Sequence, residues 1–213
     1  MTGVSNVNIY SACDKAIQAM NRENLEAFTR LKGMDFDRLN IIQAVKAVYD
    51  QSVVRARKRY YEVAFEAYVL AMAMCGEDPK KAQEMAEKTI TSSWVDAVLE
   101  EVDFMTMYRF VSEEERKAYK LAEALEVAPD RAAQIDKALK AWSQQVGQYA
   151  INVTDYAVVD AFMDAGVEKV KWVSETDQRV CHACYALDGK VYSIDEIPRK
   201  PHPGCRCRIY PVK

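Results

Sequence analysis

The stretch DRLNIIQAVKAVYDQSVVRARKRYYEVAFEAYVLAMAMC, residues 37–75, decides the fold of the larger part of the chain. Apolar residues recur three or four positions apart along it, which is the period of one buried face of an α-helix. The repeat therefore predicts a single central helix over residues 37–75, longer than a compact bundle of this size requires. The predicted buried stripe comprises Leu39, Ile42, Val45, Tyr49, Val53, Ala56, Tyr60, Val63, Ala67, Leu70 and Met74.

The residues that follow this stretch carry signals for a helix end and a new helix start. Gly76 suits a C-terminal cap, Asp78 an N-cap and Pro79 the first position of the next helix. One helix is then predicted to about Thr91, and another over residues 93–107.

Two further helices are predicted before the composition changes. Ser112 and Glu115 form a capping box, which predicts that a helix begins there. The last long helix is predicted to restart at Pro129 and to stop at Gly166. Its apolar face is predicted from Ala132, Ile135, Leu139, Trp142, Val146 and Tyr149.

After Gly166 the pattern becomes typical of β-structure. The segments VEKVKWV, GKVYSI and CRCRIYPV are short and rich in β-branched and aromatic residues, and turn residues separate them. We therefore predict a mostly α protein, an elongated bundle of long helices, with a small C-terminal β-rich module. The predicted domains are 1–166, which is helical, and 167–213, which holds the β-rich module.

Composition and charge limit the class of protein. Half of the 213 residues are apolar and 29% are charged, the balance of a soluble globular protein. The net charge of −3 argues against wholesale wrapping of nucleic acid. The charge is uneven, however, because residues 168–213 carry a balance of +3 and the rest carries −6. This basic tail, or the basic group Arg55–Tyr61, could contact phosphate, but a solvated surface is the simpler interpretation of both.

The N-terminus lacks the basic and apolar regions of a signal peptide. The longest wholly apolar run, Tyr68–Cys75, is far shorter than the ~20 residues of a membrane helix. We therefore expect a protein that works from the cytoplasm without a membrane partner. In that reducing compartment, closely spaced cysteines bind metal or do redox chemistry more often than they form disulfides.

The stretch VCHACYALDGKVYSIDEIPRKPHPGCRC, residues 180–207, holds four of the six cysteines and both histidines. Cys181 and Cys184 form a C-x2-C pair, and His202 and Cys205 form a second group with Cys207. Tetrahedral zinc is commonly held by two such pairs of Cys and His ligands. The spacing therefore predicts a metal site, and four or five soft ligands favour a closed structural zinc over a catalytic one. The module at 167–213 is thus predicted to be a Cys/His-rich zinc-knuckle module, a β module braced by a metal.

The choice of four ligands stays open at this level. The favoured ligand set is Cys181, Cys184, His202 and Cys205. Cys207 is the main alternative, because Cys205 and Cys207 are predicted to need a local bend to bind one ion together. His182 is predicted to face away. If the mature protein resides outside a cell, the same cysteines could instead form disulfides between the two groups. Cys13 and Cys75 are predicted to be small buried hydrophobes.

The segment VEKVKWVSETDQRVCHACYALDGKVYSIDEIPRKPHPGCRCRIYP, residues 167–211, resembles the C-terminal signature of the phage Mu F-like minor head proteins, the phage head morphogenesis family. The helices before it resemble the family's helical approach to this motif. The chain has Thr154-Asp155 where the family commonly has Thr-Glu. The matching residues are Trp172, Asp177, Arg179, Cys181, Cys184, Leu187, Asp188, Gly189, His202, Pro203, Cys205, Arg206 and Cys207.

The resemblance implies a structural virion protein rather than an enzyme. Such proteins are low-copy head components that associate with the portal vertex, assist head assembly and in some cases affect DNA packaging or exit. The implied partners are the portal protein, the major capsid protein and packaged double-stranded DNA. A metal-dependent nuclease and a free-standing zinc DNA-binding regulator are the alternatives; two histidines and an acidic body disfavour them.

Overall fold

The computed structural model describes residues 8–37, 40–100, 110–174, 181–201 and 205–212. Within these ranges the chain is mostly helical and ends in a small antiparallel sheet, which confirms the predicted fold class. The helices are α1 (Tyr10–Lys32), α2 (Ile41–Cys75), α3 (Pro79–Thr89), α4 (Ser92–Glu100), α5 (Phe110–Val127), α6 (Arg131–Asp164) and α7 (His182–Leu187). The strands are β1 (Lys169–Val173), β2 (Val191–Ser193) and β3 (Arg208–Pro211).

The central helix α2 begins at Ile41, capped by the side chain of Asn40, which accepts a hydrogen bond from the Gln43 N–H. It ends where Gly76 takes a φ of 90°, a left-handed conformation that favours glycine. Most of the predicted stripe is buried, although Leu39 lies outside the described residues. The buried face is wider than predicted and includes Val48, Ala64, Tyr68, Ala71 and Met72, because α2 packs against α1, α3, α5 and α6.

The start of α3 follows the sequence closely, whereas the start of α5 does not. The Asp78 side chain accepts hydrogen bonds from the Lys80 and Lys81 N–H groups, as an N-cap does. Helix α5 is already formed at Phe110, so Ser112 lies inside it and the predicted capping box was wrong. Glu115 is instead contacted by the Lys46 ammonium at 3.4 Å. The predicted end of the preceding helix, Met107, lies outside the described residues.

Helix α6 supplies the other half of the core. Trp142 and Tyr149 are buried, and the Trp142 Nε1–H donates to Ser52 Oγ at 2.8 Å. The Tyr60 hydroxyl of α2 donates to the Val146 carbonyl at 2.8 Å. Burial of a large side chain such as Trp142 or Tyr60 contributes about 1.5–3 kcal/mol, and the polar atom of each keeps a partner. Ala132, predicted to be buried, is exposed in the first turn.

The chain passes from helix to sheet at Gly166, whose φ is 71°. Strand β1 lies between β2 and β3 and is antiparallel to both, with Val170 opposite Tyr192 and Pro211. Val170 and Trp172 are buried while Lys169 and Lys171 are exposed, the alternation of a strand with one covered face. None of the helices within the described ranges has the length and apolarity to span a bilayer.

Candidate metal centre

Three cysteines meet beneath the C-terminal sheet. The sulfurs of Cys184, Cys205 and Cys207 all lie within 4.8 Å of one another, and all three side chains are buried. The Cys184 and Cys205 sulfurs are 3.5 Å apart. Trp172 packs against the three cysteines, so the centre lies in an apolar pocket of its own.

Local structure explains how these cysteines converge. Cys181 is the N-cap of α7, and its sulfur accepts the Cys184 N–H at 3.3 Å, so one helical turn presents the C-x2-C pair. Cys205 and Cys207 lie in the segment that leads into β3. Both sulfurs reach the cluster, so Cys205 and Cys207 come together there. Between them Arg206 points outward and donates to Asp14 at 2.6 Å.

The remaining sequence candidates lie in different places. Cys181 is half-buried beside the three clustered cysteines, and its thiol hydrogen-bonds with that of Cys184. His202 lies outside the described residues. His182 is exposed. Of the two isolated cysteines, Cys13 is fully buried as predicted, whereas Cys75 is only partly buried.

Two thiols of the cluster, those of Cys184 and Cys205, resist ionisation because their pKa values are raised. Burial raises the pKa of Cys205 to about 11, and burial followed by hydrogen bonds with the neighbouring thiols raises the pKa of Cys184. Several thiolates packed this closely would repel one another unless a cation lay among them. A bound metal ion supplies that charge and lets coordinating thiols deprotonate.

The donor set fits a structural zinc ion. Four sulfurs at about 2.3 Å from a tetrahedral zinc lie about 3.8 Å from one another, close to the 3.5 Å between Cys184 and Cys205. All six cysteines are free, and this separation is well beyond the ~2.05 Å of a disulfide. Thiolates are also the ligands that select zinc over harder cations.

Ser174 is a residue of this centre that sequence reasoning missed. It is buried directly after β1, and its hydroxyl donates to the Cys184 carbonyl at 2.7 Å. The Cys207 thiol donates to the same Ser174 oxygen at 3.7 Å. The Ser174 N–H donates to Asp188 Oδ1 at 2.7 Å, which ties the end of α7 to the sheet. One serine thus links both cysteine groups, and no spacing rule marks it.

A second missed group connects the centre to the helices. The Lys200 ammonium donates to the Cys205 carbonyl at 3.0 Å, to Asp155 Oδ1 at 2.9 Å and to the Tyr10 hydroxyl at 2.7 Å. The Tyr10 hydroxyl also donates to Asp155. Burial raises the pKa of Asp155, although the Lys200 charge opposes this. We call Tyr10, Asp155 and Lys200 the interdomain triad.

The two basic groups singled out in the sequence are largely neutralised within the protein. Arg55 and Arg59 both contact Glu23 of α1, at 3.7 and 2.9 Å, and Arg57 contacts Asp96 of α4 at 3.2 Å. In the basic tail, Lys200 and Arg206 contact carboxylates of α6 and α1. Part of the uneven charge of the chain therefore serves to hold the tail on the acidic helices.

These features define a helical protein whose C-terminal sheet covers a cluster of cysteines. Residues 109–210 match the family model described as Phage Mu protein F like protein, and this segment is a domain of that family. The match spans α5, α6 and the whole sheet, just under half of the chain, and confirms the resemblance seen in the sequence. No curated protein and no solved structure matches the chain.

Proposed function

We propose that this protein is a minor head protein of a tailed double-stranded DNA phage and acts in head morphogenesis at the portal vertex. The match to the Phage Mu F-like family over residues 109–210 is the observation that carries this proposal. The protein would assemble in the host cytoplasm and reside in the phage head, in several copies per particle. A role in DNA packaging or ejection would follow from that location.

A structural zinc ion would brace the C-terminal module. Cys184, Cys205 and Cys207 would supply three ligands, and Cys181 or His202 the fourth. A closed set of thiolates leaves no position for a substrate or an activated water, so the ion would stabilise the fold rather than catalyse a reaction. The burial of the three clustered cysteines supports this non-enzymatic role over a metal-dependent nuclease.

The proposed partners are the portal protein and the major capsid protein. To test this, the chain is co-expressed with the portal protein encoded in the same genome and purified through a tag on either partner. We expect a stable complex that survives gel filtration. Co-expression with the major capsid protein alone serves as a second arm, and a chain that elutes free of both partners would overturn the proposed role.

Metal analysis tests the zinc proposal separately. The purified protein should carry about one zinc per chain, as a single tetrahedral site requires. The Cys184→Ser variant should lose it, whereas Cys75→Ser, which removes a thiol outside the centre, should keep it. A metal-free protein in which all thiols react with a thiol reagent would contradict a coordinated ion. A protein with fewer reactive thiols and no metal would point to disulfides instead.

A further inference from the structure

A cleft between α5 and α6 lies within the family domain but away from the cysteines. It has a volume of about 170 Å³ and is lined by Arg116, Lys117 and Lys120 of α5 and by Lys137 of α6. Its floor is apolar and comes from three helices. The floor residues are Tyr49, Leu121, Ala124, Ala138 and Ala141. We call this feature the lysine cleft.

The lysines of the lysine cleft are not paired with carboxylates, whereas other basic residues of the chain are. Arg116 is held by Glu113, with its Nη2 at 2.8 Å from Oε2, so its charge is locally satisfied. Lys117, Lys120 and Lys137 form no ion pair or hydrogen bond through their ammonium groups with any side chain of the described ranges. The arginines Arg55, Arg57 and Arg59 show the contrast, because each lies beside a carboxylate.

The cleft also makes one of these charges costly. Lys117 is half-buried, and burial is the main reason that its pKa is lowered; Glu113 opposes this, and Arg116 and Lys120 lower the pKa further. Burial and the neighbouring positive charges thus disfavour the charged form of Lys117 more than Glu113 favours it. An anion in the cleft would offset that cost.

We propose that the lysine cleft is an anion-binding site that takes a phosphate group through Lys117, Lys120 and Lys137. Lysine is a compact point charge with three donors and serves widely as a phosphate ligand. The cleft can hold several water molecules at about 30 Å³ each, which is room enough for a phosphate among the three lysines that line it. The phosphate could belong to the backbone of DNA or to a free polyphosphate.

The lysine cleft would bind phosphate whether or not the protein acts in a phage head.

The test compares two variants of equal net charge. In the first, Lys117, Lys120 and Lys137 are all replaced by Gln. In the control, three exposed lysines on other surfaces, Lys58, Lys80 and Lys88, are replaced by Gln. Thermal melts of both variants check that they fold. The cleft variant should be at least as stable as the parent, because repulsion between positive charges in the cleft is relieved.

Inorganic tripolyphosphate and a short duplex DNA are the two probes, measured by calorimetry and by fluorescence anisotropy at low salt. We expect the parent and control to bind at least one probe, and the cleft variant to bind it at least about tenfold more weakly. If the ligand is DNA backbone, the slope of log affinity against log salt should also fall by about one for each lysine removed.

The two probes distinguish the sources of the phosphate. Binding of duplex that tripolyphosphate displaces supports the DNA backbone as ligand, and binding of tripolyphosphate alone supports a free polyphosphate. A parent protein that binds neither probe would overturn the proposal. So would an equal loss of binding in the cleft variant and the control, because it would show that general surface charge attracts the anions.

Discussion

The helices before Gly166 and the sheet after it bury their side chains in different ways. In the helices, large aromatic residues such as Phe28, Tyr49 and Trp142 are almost completely inaccessible to solvent, and their rings contact one another across α1, α2 and α6. After Gly166, one buried cluster consists of Trp172 and three cysteines, while Val170 of the same sheet belongs to the core of the helices.

The difference shows that the two regions rely on different sources of stability. A set of long helices can be held by the burial of apolar surface alone. A module of about 46 residues buries too little of it, and such modules usually need a metal, disulfides or a docking partner. The proposed metal at the cysteine cluster and the contacts of the interdomain triad would fill those two roles.

Removal of Cys184, a ligand of the proposed metal, is expected to have the largest effect and to separate the two regions. The Cys184→Ser variant should lose the order of residues 167–213 and keep most of its helical circular dichroism. The loss is large because coordination of structural zinc is worth about 10–16 kcal/mol in small zinc-binding peptides. Limited proteolysis should cut the tail of this variant first, whereas Cys75→Ser should resist like the parent.

A collapse of the whole circular dichroism signal in Cys184→Ser would break the comparison. It would mean that the helices need the sheet, and that Gly166 does not divide the chain into a helical domain and a metal-braced module.

The next substitution disturbs the helical core instead of the cysteine cluster. Trp142→Ala removes a fully buried ring and its hydrogen bond to Ser52, and it should cost about 3–5 kcal/mol. Chemical denaturation followed by circular dichroism measures this loss. Because the cysteine cluster lies elsewhere, the folded variant should still bind zinc in the same proportion as the parent. A variant that folds but loses zinc would show that the two regions are not independent.

The interdomain triad tests how firmly the two regions are joined. Asp155→Asn removes the charge that faces Lys200, and charged hydrogen bonds of this kind are worth about 1.5–3 kcal/mol. Proteolysis of the tail should become faster while zinc content is unchanged.

The matched control for the triad is Asp14→Asn, which breaks the more exposed contact with Arg206 and should cost at most about 1 kcal/mol. Equal effects of the two substitutions would argue against a special role for the triad. Asp155→Glu keeps the negative charge that faces Lys200 and should be milder than Asp155→Asn.

The smallest expected effect concerns a buried carboxylate at the edge of the helical core. Burial is the main cause that raises the pKa of Glu114 to about 7, and Asp50 adds to the shift through a hydrogen bond and its charge. Its Oε1 has no hydrogen-bond partner among the described residues. The folded state holds the Glu114 proton more tightly than the unfolded chain does. The favourable contribution of protonated Glu114 to the free energy of unfolding is present at low pH and is lost as the pH rises through 7.

Glu114→Gln should therefore stabilise the protein by about 1 kcal/mol at pH 8 and have little effect at pH 4, since removal of the charge matters only where the parent is ionised. Thermal melts across that pH range measure the difference. The same gain at both ends of the range would mean that the carboxylate is not the cause.

Much of the fold could be predicted from the sequence because its determinants are local. The period of the apolar residues located α2 and α6, and the residues Gly76 and Asp78 marked a helix end and a helix start. All three strands lie within the segments predicted for them. The capping box at Ser112 failed because the pattern of a cap also occurs inside helices, where tertiary packing decides the boundary.

The sequence by itself determined the kinds of elements and the concentration of soft ligands in one tail, because period, caps and cysteine spacing act over a few residues. Only the tertiary structure decided which thiols meet, that Ser174 links them, and that Lys200 reaches Tyr10 across 190 residues of sequence. It also brought Lys117 and Lys137 to one cleft. Such contacts depend on how the chain crosses itself, and short-range patterns carry no record of that path.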